Sequence, residues 1–399
     1  MNNNNNIQFI PKGFRAAGVS CGIKKNGRKD LALIVSSEPA TAAGVFTTNI
    51  VKGHSLKWSM DKIKNNRISA IAVNSGNANA CVGSGGDADA ELMASFAAKE
   101  IGCKKEQILL ASTGIIGYRL PMDKIEAGIK KAYASLSDNF HDAAVAIMTT
   151  DTFEKEASAR INLSGKPVTI YGMAKGSGMI HPNMATMIGI ILTDANISST
   201  LLKRALDTVV NKSFNRISVD GDTSVCDKVL LLANSMAGNN EINAENEDYS
   251  TFLAALTNVA VTLSKMLARD GEGATKLAEI RVKNADTRET AHRIANAISK
   301  SPLVKTALFG EDANWGRILT AAGYSGAVFN PDTVDIYIGD VLMCKNGTGL
   351  QFDEQRALTV LKRNEITITV DFKMGDAEDM MWTCDLSYDY VKINGSYRT

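Results

Sequence analysis

The chain has 399 residues, 45% of them apolar and 22% charged, with 44 basic against 43 acidic side chains and a formal net charge of +1. That length leaves room for two or three domains and a sizeable core. The even charge balance gives no electrostatic case for nucleic acid or an anionic membrane, and no apolar run approaches the roughly 18 residues of a membrane helix. The cysteines, Cys21, Cys81, Cys103, Cys226, Cys344 and Cys384, contain no Cys-x-x-Cys pair and read as reduced core thiols of a cytoplasmic protein. The histidines, His54, His141, His181 and His292, contain no His-x-x-x-His pair, which argues against a metallohydrolase, and no metal is expected.

Residues 1–6, Met and then asparagines, are polar, have no signal-peptide shape and are expected to fray. Residues 31–35 and 68–73 read as apolar strands. The second leads into Asn74-Ser-Gly-Asn-Ala-Asn-Ala80, which serves either as a cleft lining or as a solvated connection. Residues 87–101 have helical spacing, with Leu92, Phe96 and Ala97 on one side. Residues 107–112 form a strand that runs into Thr113-Gly114-Ile-Ile-Gly117. A strand opening into glycine-rich backbone exposes amide N–H groups, the material of an oxyanion hole; a simple turn is the other reading. Residues 121–136 and 138–148 follow as helices, and the second ends at the hydroxyl-rich Thr149-Thr-Asp-Thr152.

Lys175-Gly-Ser-Gly-Met-Ile-His-Pro-Asn-Met-Ala185 reads as a tight irregular loop, and residues 187–192 as a buried strand. Thr186 sits on the seam. Cutting the peptide bond before it would give Thr186 a free α-amine beside its own hydroxyl. An α-amine has an unperturbed pKa of roughly 7.7–8.0, well placed for a general base, and a threonine activated by its own amine is a recognised nucleophile. The other reading is a buried threonine that starts a strand. His181 shapes this loop or serves it directly.

Ser198 caps a helix running to 211, and residues 217–224 read as strand and turn, with Asp220 and Asp222 suited to Asx-turn chemistry more than to a metal. Residues 248–267 form a long helix that ends in Arg269-Asp-Gly-Glu272-Gly-Ala-Thr275, where Glu272 is bare between glycines. Beyond it, strands at 277–282, 334–338 and 365–372 alternate with helices at 287–299 and 353–363. Gly310-Glu-Asp-Ala-Asn-Trp-Gly316 is read as packing against the other lobe. Residues 382–391 are strand-like and lead into Ile393-Asn-Gly-Ser-Tyr-Arg-Thr399.

The run Lys175-Gly176-x-Gly178-Met179-x-x-Pro182-x-Met184-Ala185-Thr186-Met187 resembles the self-cleavage motif of the ornithine acetyltransferase (glutamate N-acetyltransferase) family of arginine biosynthesis. Similar stretches recur from Phe14 to the final Thr399. The resemblance implies an α/β fold with mixed sheets flanked by helices in a layered sandwich, and a smaller C-terminal α/β lobe. The expected divisions are an alpha chain of 1–185, a second segment of 186–275 that completes the catalytic domain, and a lobe of 276–399. It implies cleavage between Ala185 and Thr186, with Thr186 as nucleophile and Thr113 and Gly114 as the oxyanion hole. Thr152, Lys175, Thr186, Glu272, Asn394 and Thr399 would bind substrate.

The implied reaction moves an acetyl group from N-acetylornithine to glutamate through an acetyl-Thr186 ester, with no cofactor, in a cytoplasmic α2β2 assembly. Whether acetyl-CoA also serves as donor is left open. The alternatives are a self-processing amidase or aminopeptidase with water as acceptor, a phosphate-binding loop at 175–178, and a structural protein with an intact 185–186 bond. The phosphate reading lacks the Gly-x-x-x-x-Gly-Lys-[Ser/Thr] spacing and precedes a strand.

Overall fold

In chain order, the computed structural model begins with β1 (Phe14–Val19), β2 (Leu31–Phe46), α1 (His54–Lys62), β3 (Ile68–Asn77), α2 (Gly85–Ile101) and β4 (Ile108–Ile115). Next come α3 (Met122–Ala134), α4 (His141–Ile147), β5 (Lys155–Leu163), β6 (Lys166–Lys175), β7 (Ile188–Thr193), α5 (Ser199–Lys212), β8 (Ile217–Ser218), β9 (Lys228–Ala233) and α6 (Glu247–Arg269). The rest are β10 (Leu277–Ala285), α7 (Arg288–Lys300), α8 (Pro302–Phe309), α9 (Trp315–Gly323), β11 (Asp335–Ile338), β12 (Val341–Lys345), β13 (Thr348–Gly349), α10 (Glu354–Leu361), β14 (Glu365–Asp371), β15 (Ala377–Cys384) and α11 (Tyr388–Gly395). The structure describes residues 9–181 and 187–396. These fall into two units: 9–176, 187–215 and 223–263 form the first, and 177–181, 216–222 and 264–396 the second.

The first unit is built on a mixed sheet of order β4-β3-β2-β9-β7-β6-β5, with β1 beside β2. β3 and β4 run parallel, as do β7 and β9, and the remaining neighbours are antiparallel. Side chains alternate across this sheet with period two. Leu31 and Leu33 of β2 pack with Met93 of α2 and Ile129 of α3, while Ala32 and Ile34 pack with Ala143 and Ile147 of α4. Helices therefore cover both faces. That is why β7 and β9 read as unbroken apolar runs: every residue in each is buried.

β2 is longer than the expected 31–35. Its pairing with β3 shifts register between Val35 and Ala40, across Pro39, which has no N–H to give a ladder; from Thr41 it pairs β9 instead.

The second unit holds a mixed sheet of order β13-β12-β11-β14-β10-β15-β8. Ile280, Ile368 and Met381 of this sheet form one core with Ile294 and Ile298 of α7. The fold is thus α/β, with mixed sheets flanked by helices.

Four expectations need correction. Residues 382–391 are not one strand: β15 ends at Cys384, and Ser387, whose side chain accepts from the Asp389 amide, starts α11. The stretch 74–80 is not a solvated connection, because β3 runs on to Asn77 and Asn74, Asn77 and Asn79 are buried. The cysteines are not all core residues: Cys81 is exposed and Cys21 and Cys103 are half-buried. A long apolar helix does exist. α6 has 23 residues and a mean hydropathy of 1.4 over its most apolar window. It meets the length and composition of a membrane span, yet half of that window is buried, with Phe252, Leu256 and Leu263 at zero exposure.

The loop at 310–316 finds its partners in its own unit. Trp315 stands against Gly349, and Lys276 pairs with Glu311 at 3.1 Å.

Candidate functional site

In the first unit the candidate residues gather where β3, β4 and β6 end. β3 and β4 pair in parallel until the register breaks at Gly76 and Asn77. The asparagines of the polar stretch make that break: Asn74 Nδ2 donates to the Asn77 carbonyl at 2.8 Å, and Ser112 Oγ donates to Asn74 Oδ1 at 2.6 Å. Gly114 lies opposite Gly76 with φ +130°, and a Cβ there would overlap the Gly76 carbonyl carbon and the Asn77 nitrogen. Only glycine fits, because the position combines a left-sided φ with close backbone contact. Thr113, one residue before, is buried.

Lys175 ends β6, is 3% exposed, and donates from Nζ to Thr113 Oγ1 at 3.3 Å. An ammonium so enclosed needs a counter-charge. Asp151, which the sequence reading passed over in favour of Thr152, supplies it. The Asp151 side chain is fully buried and holds the equally buried Lys155 ammonium at 2.8 Å. It also accepts from the Gly176 amide at 2.6 Å and from the Thr149 amide at 2.8 Å. Burial alone would raise the Asp151 pKa, but Lys175 and Lys155 outweigh it and hold the carboxyl well below the usual range. Thr152 itself is exposed on the adjoining bend. Burial, with repulsion from Lys175, also pushes Lys24 down to about 8, against the pull of Asp30. The signal for Asp151 was an acid and a base four residues apart, Asp151 and Lys155, in a stretch whose hydroxyls drew the attention.

In the second unit Glu272 is 8% exposed and accepts from Asn394 Nδ2 at 2.8 Å, on the last turn of α11. The Glu272 amide donates to the Ser177 carbonyl at 2.9 Å, and Ser177 Oγ donates to the Asp270 carbonyl at 2.6 Å. A Cβ on Gly178 would run into the Glu272 carboxylate. Gly178→Ala is therefore expected to push that carboxylate off its contact with Asn394 and to lower Tm, as a thermal melt would show.

Asp220 does form an Asx turn, accepting from the Asp222 amide at 3.2 Å. It also accepts from the Met179 and Ile180 amides, at 2.5 and 2.9 Å, and so anchors the backbone at 179–180. Among the described residues, no group of three or more His, Cys, Asp or Glu side chains is placed to hold a metal ion. His181 shares a 3.3 Å hydrogen bond with Ser218 Oγ. Burial, with Lys300 and His292 nearby, pushes its pKa down to about 4, so the ring is neutral at neutral pH.

The structure thus brings Thr113, Gly114 and Lys175 together in one unit, and Glu272 and Asn394 together in the other. Ala185, Thr186 and Thr399 lie outside the described residues.

A profile of the ArgJ family matches residues 15–399. The "Arginine biosynthesis bifunctional protein ArgJ" of Symbiobacterium thermophilum is 52% identical over 392 residues, covering 98% of each chain. The protein of the same name from Caldanaerobacter subterraneus subsp. tengcongensis is 52% identical over 395 residues, again covering 98% of each. Among solved structures, the arginine biosynthesis bifunctional protein argJ of Bacillus halodurans aligns with a TM-score of 0.52 and 44% identity, covering 53% of this chain and 100% of that one.

Proposed function

The chain belongs to the ArgJ family, and on that premise we propose that it transfers the acetyl group of N2-acetyl-L-ornithine to L-glutamate through an acetyl-Thr186 ester, after cutting itself between Ala185 and Thr186. As a member of that family it is an acyltransferase of arginine biosynthesis. The observation that carries the finer reading is the buried contact between Lys175 and Thr113, beside a Gly114 backbone that no side chain can cover.

In this reading Thr186 Oγ attacks the acetyl carbonyl carbon while its own α-amine takes the hydroxyl proton. Charge develops on the carbonyl oxygen, where Thr113 and Gly114 stabilise it; one such donor is worth roughly 3–4 kcal/mol in comparable sites. The C–N bond breaks, and the α-ammonium returns its proton to the departing ornithine amine. Glutamate enters and its amine attacks the ester carbonyl. The bond between the acetyl carbon and Thr186 Oγ then breaks, and Oγ takes up the proton that the glutamate amine gave to the Thr186 α-amine. Glu272 suits the cationic end of ornithine, and Lys175, with Thr152, Asn394 and Thr399, the polar amino-acid ends. No organic cofactor or metal is proposed. The two cleaved chains would assemble as α2β2 in the cytoplasm.

One nucleophile with one amine base carries one acyl group at a time, so ornithine leaves before glutamate enters. The expected result is parallel double-reciprocal plots, and a Thr186 peptide that gains one acetyl group when donor alone is present. Intersecting lines without that peptide would mean direct transfer. Acetate released without glutamate would favour the amidase reading. Acetyl-CoA, offered in place of N-acetylornithine, tests the second donor.

A further inference from the structure

The asparagine at the register break between β3 and β4 belongs to a longer buried chain of hydrogen bonds. Asn74, Ser112, Ser55 and Asn79 are all buried, none more than 1% exposed. Asn74 Nδ2 faces the Asn77 carbonyl at 2.8 Å. A carbonyl only accepts, so this contact fixes which way the amide points and turns Oδ1 toward Ser112. Ser112 Oγ gives its proton to that oxygen at 2.6 Å. Across the 2.7 Å contact between the two hydroxyls, Ser55 is therefore the donor. Asn79 Nδ2 in turn approaches Ser55 Oγ at 3.4 Å and donates to the Gly86 carbonyl at 3.0 Å. The bonds from Asn79 through Ser55 and Ser112 to Asn74, and on to the Asn77 carbonyl, all run one way, the arrangement in which successive bonds polarise one another. The chain ends where Thr113 and Gly114 sit. Asn74 lies opposite Ser112 and Gly76 opposite Gly114, and Asn77 then pairs with both Thr113 and Ile115, a local bulge. A Cβ on Gly114 would come within 2.4 Å of the Gly76 carbonyl carbon and 2.6 Å of the Asn77 nitrogen, so the 76–77 peptide is the wall against which Gly114 rests.

We propose that Asn74 is a positioning residue for the oxyanion hole: its side-chain amide bridges the Ser112 hydroxyl on β4 and the Asn77 carbonyl on β3, and so fixes the bulge that places Thr113 and Gly114. The inference rests on the function proposed above, which gives Thr113 and Gly114 that role. One end of the amide is tied to the residue before Thr113, the other to the residue after Gly76, so Asn74 spans the opposed glycines. An apolar residue at 74 would leave both groups without their partner inside the protein. An oxyanion hole stabilises charge that develops only in the transition state, so misplacing it lowers kcat and spares ground-state binding. Both bonds join neutral groups, so the bridge does not titrate with the catalytic amine.

The test compares Asn74→Ala, Thr113→Ala and the double variant with wild type in the full-length protein. Transfer is measured as kcat per cleaved chain, counted by intact mass, with donor KM and thermal melts alongside. Asn74→Ala is expected to lower kcat by about tenfold or more, with donor KM within about threefold and the pH profile of wild type. In the Thr113→Ala background the same change is expected to lower kcat by a factor about threefold smaller, because part of what Asn74 positions is already gone. A merely structural role would lower Tm and act by the same factor in both backgrounds. Wild-type kcat for Asn74→Ala beside an impaired Thr113→Ala overturns the proposal, as does an equal factor in both backgrounds or a loss confined to KM. Should Asn74→Ala not fold or not cleave, Ser112→Ala decides, since it removes the hydroxyl that holds Asn74 Oδ1. A kcat lowered about threefold or more at unchanged KM then supports the proposal, and wild-type kcat overturns it. Thr113→Ala at wild-type kcat is a separate outcome: it sinks the oxyanion reading itself, and the role of Asn74 with it.

Discussion

Thr186→Ala is expected to remain one uncut chain and to transfer no acetyl group. Self-cleavage in the proposed scheme starts when Thr186 Oγ attacks the Ala185 carbonyl carbon. The Ala185–Thr186 C–N bond breaks as an ester forms, which frees the Thr186 α-amine, and water then hydrolyses the ester to a carboxylate on Ala185 and the hydroxyl of Thr186. Alanine has no oxygen for the first step and so never acquires the amine for later turnovers. The same substitution thus removes both nucleophile and base, and a loss on the order of 10⁶ in kcat is the scale for removing an acyl-transfer nucleophile. Thr186→Ser keeps the hydroxyl and is expected to cleave and turn over, more slowly. Transfer by the serine variant should rise with pH as its amine deprotonates near roughly 7.7–8.0. A gel and an intact mass separate the cases. Two normal chains from the alanine variant would remove Thr186 from the scheme.

Much of the frame was legible because local rules and tertiary structure agree. Ile188 to Leu192 is apolar without alternation, and the strand it forms is buried on both faces. Ser198, Thr287 and Asp353 each cap the helix they precede, with side chains accepting from the Leu201, Thr290 and Arg356 amides. Capping is written in three or four adjacent residues, so a linear reading finds it.

What stayed hidden depends on distance along the chain. The burial of Asn74 to Asn79 could not be read from their polarity. It holds because each asparagine finds a partner, such as Ser112 for Asn74 and the Gly86 carbonyl for Asn79 at 3.0 Å. Asp220 was legible as an Asx turn, but not as the acceptor for Met179 and Ile180, some forty residues earlier. α11 was missed because Tyr388, Tyr390 and Val391 favour strands. The Ser387 cap and Asp389 in the first turn outweighed them, and Tyr388 stacks edge-on against Phe309 instead of joining a sheet.

Asp151 shows most clearly how one unremarked residue organises a site, and Asp151→Asn is expected to damage both stability and transfer. Its carboxylate serves the Lys155 ammonium, two backbone amides and the field of Lys175. Asparagine keeps an acceptor for an amide but removes the negative charge held at 2.8 Å from the Lys155 ammonium, at zero exposure. Breaking a buried pair from one side costs about 3–5 kcal/mol, and for a unit of this size roughly 2–4 °C in Tm follows per kcal/mol. Transfer is expected to fall about 100-fold, since Lys175 and the Gly176 amide lose a shared anchor and a misplacement of about 1 Å is enough for that.

The pH dependence has a definite sign. The folded-state pKa of Asp151 is depressed, so its contribution to stability is fully present above the unfolded value of about 3.9. It is lost only as pH falls below that value toward the depressed one. Wild type and Asp151→Asn should therefore differ in Tm by a constant amount at neutral pH and converge only in strong acid. Asp151→Asn combined with Lys155→Met removes the buried cation together with its counter-charge, and the pair should recover part of the lost Tm but not the lost transfer rate. Full recovery of transfer by the double variant would mean that Asp151 matters only as the partner of Lys155, with no hold on Lys175 and Gly176.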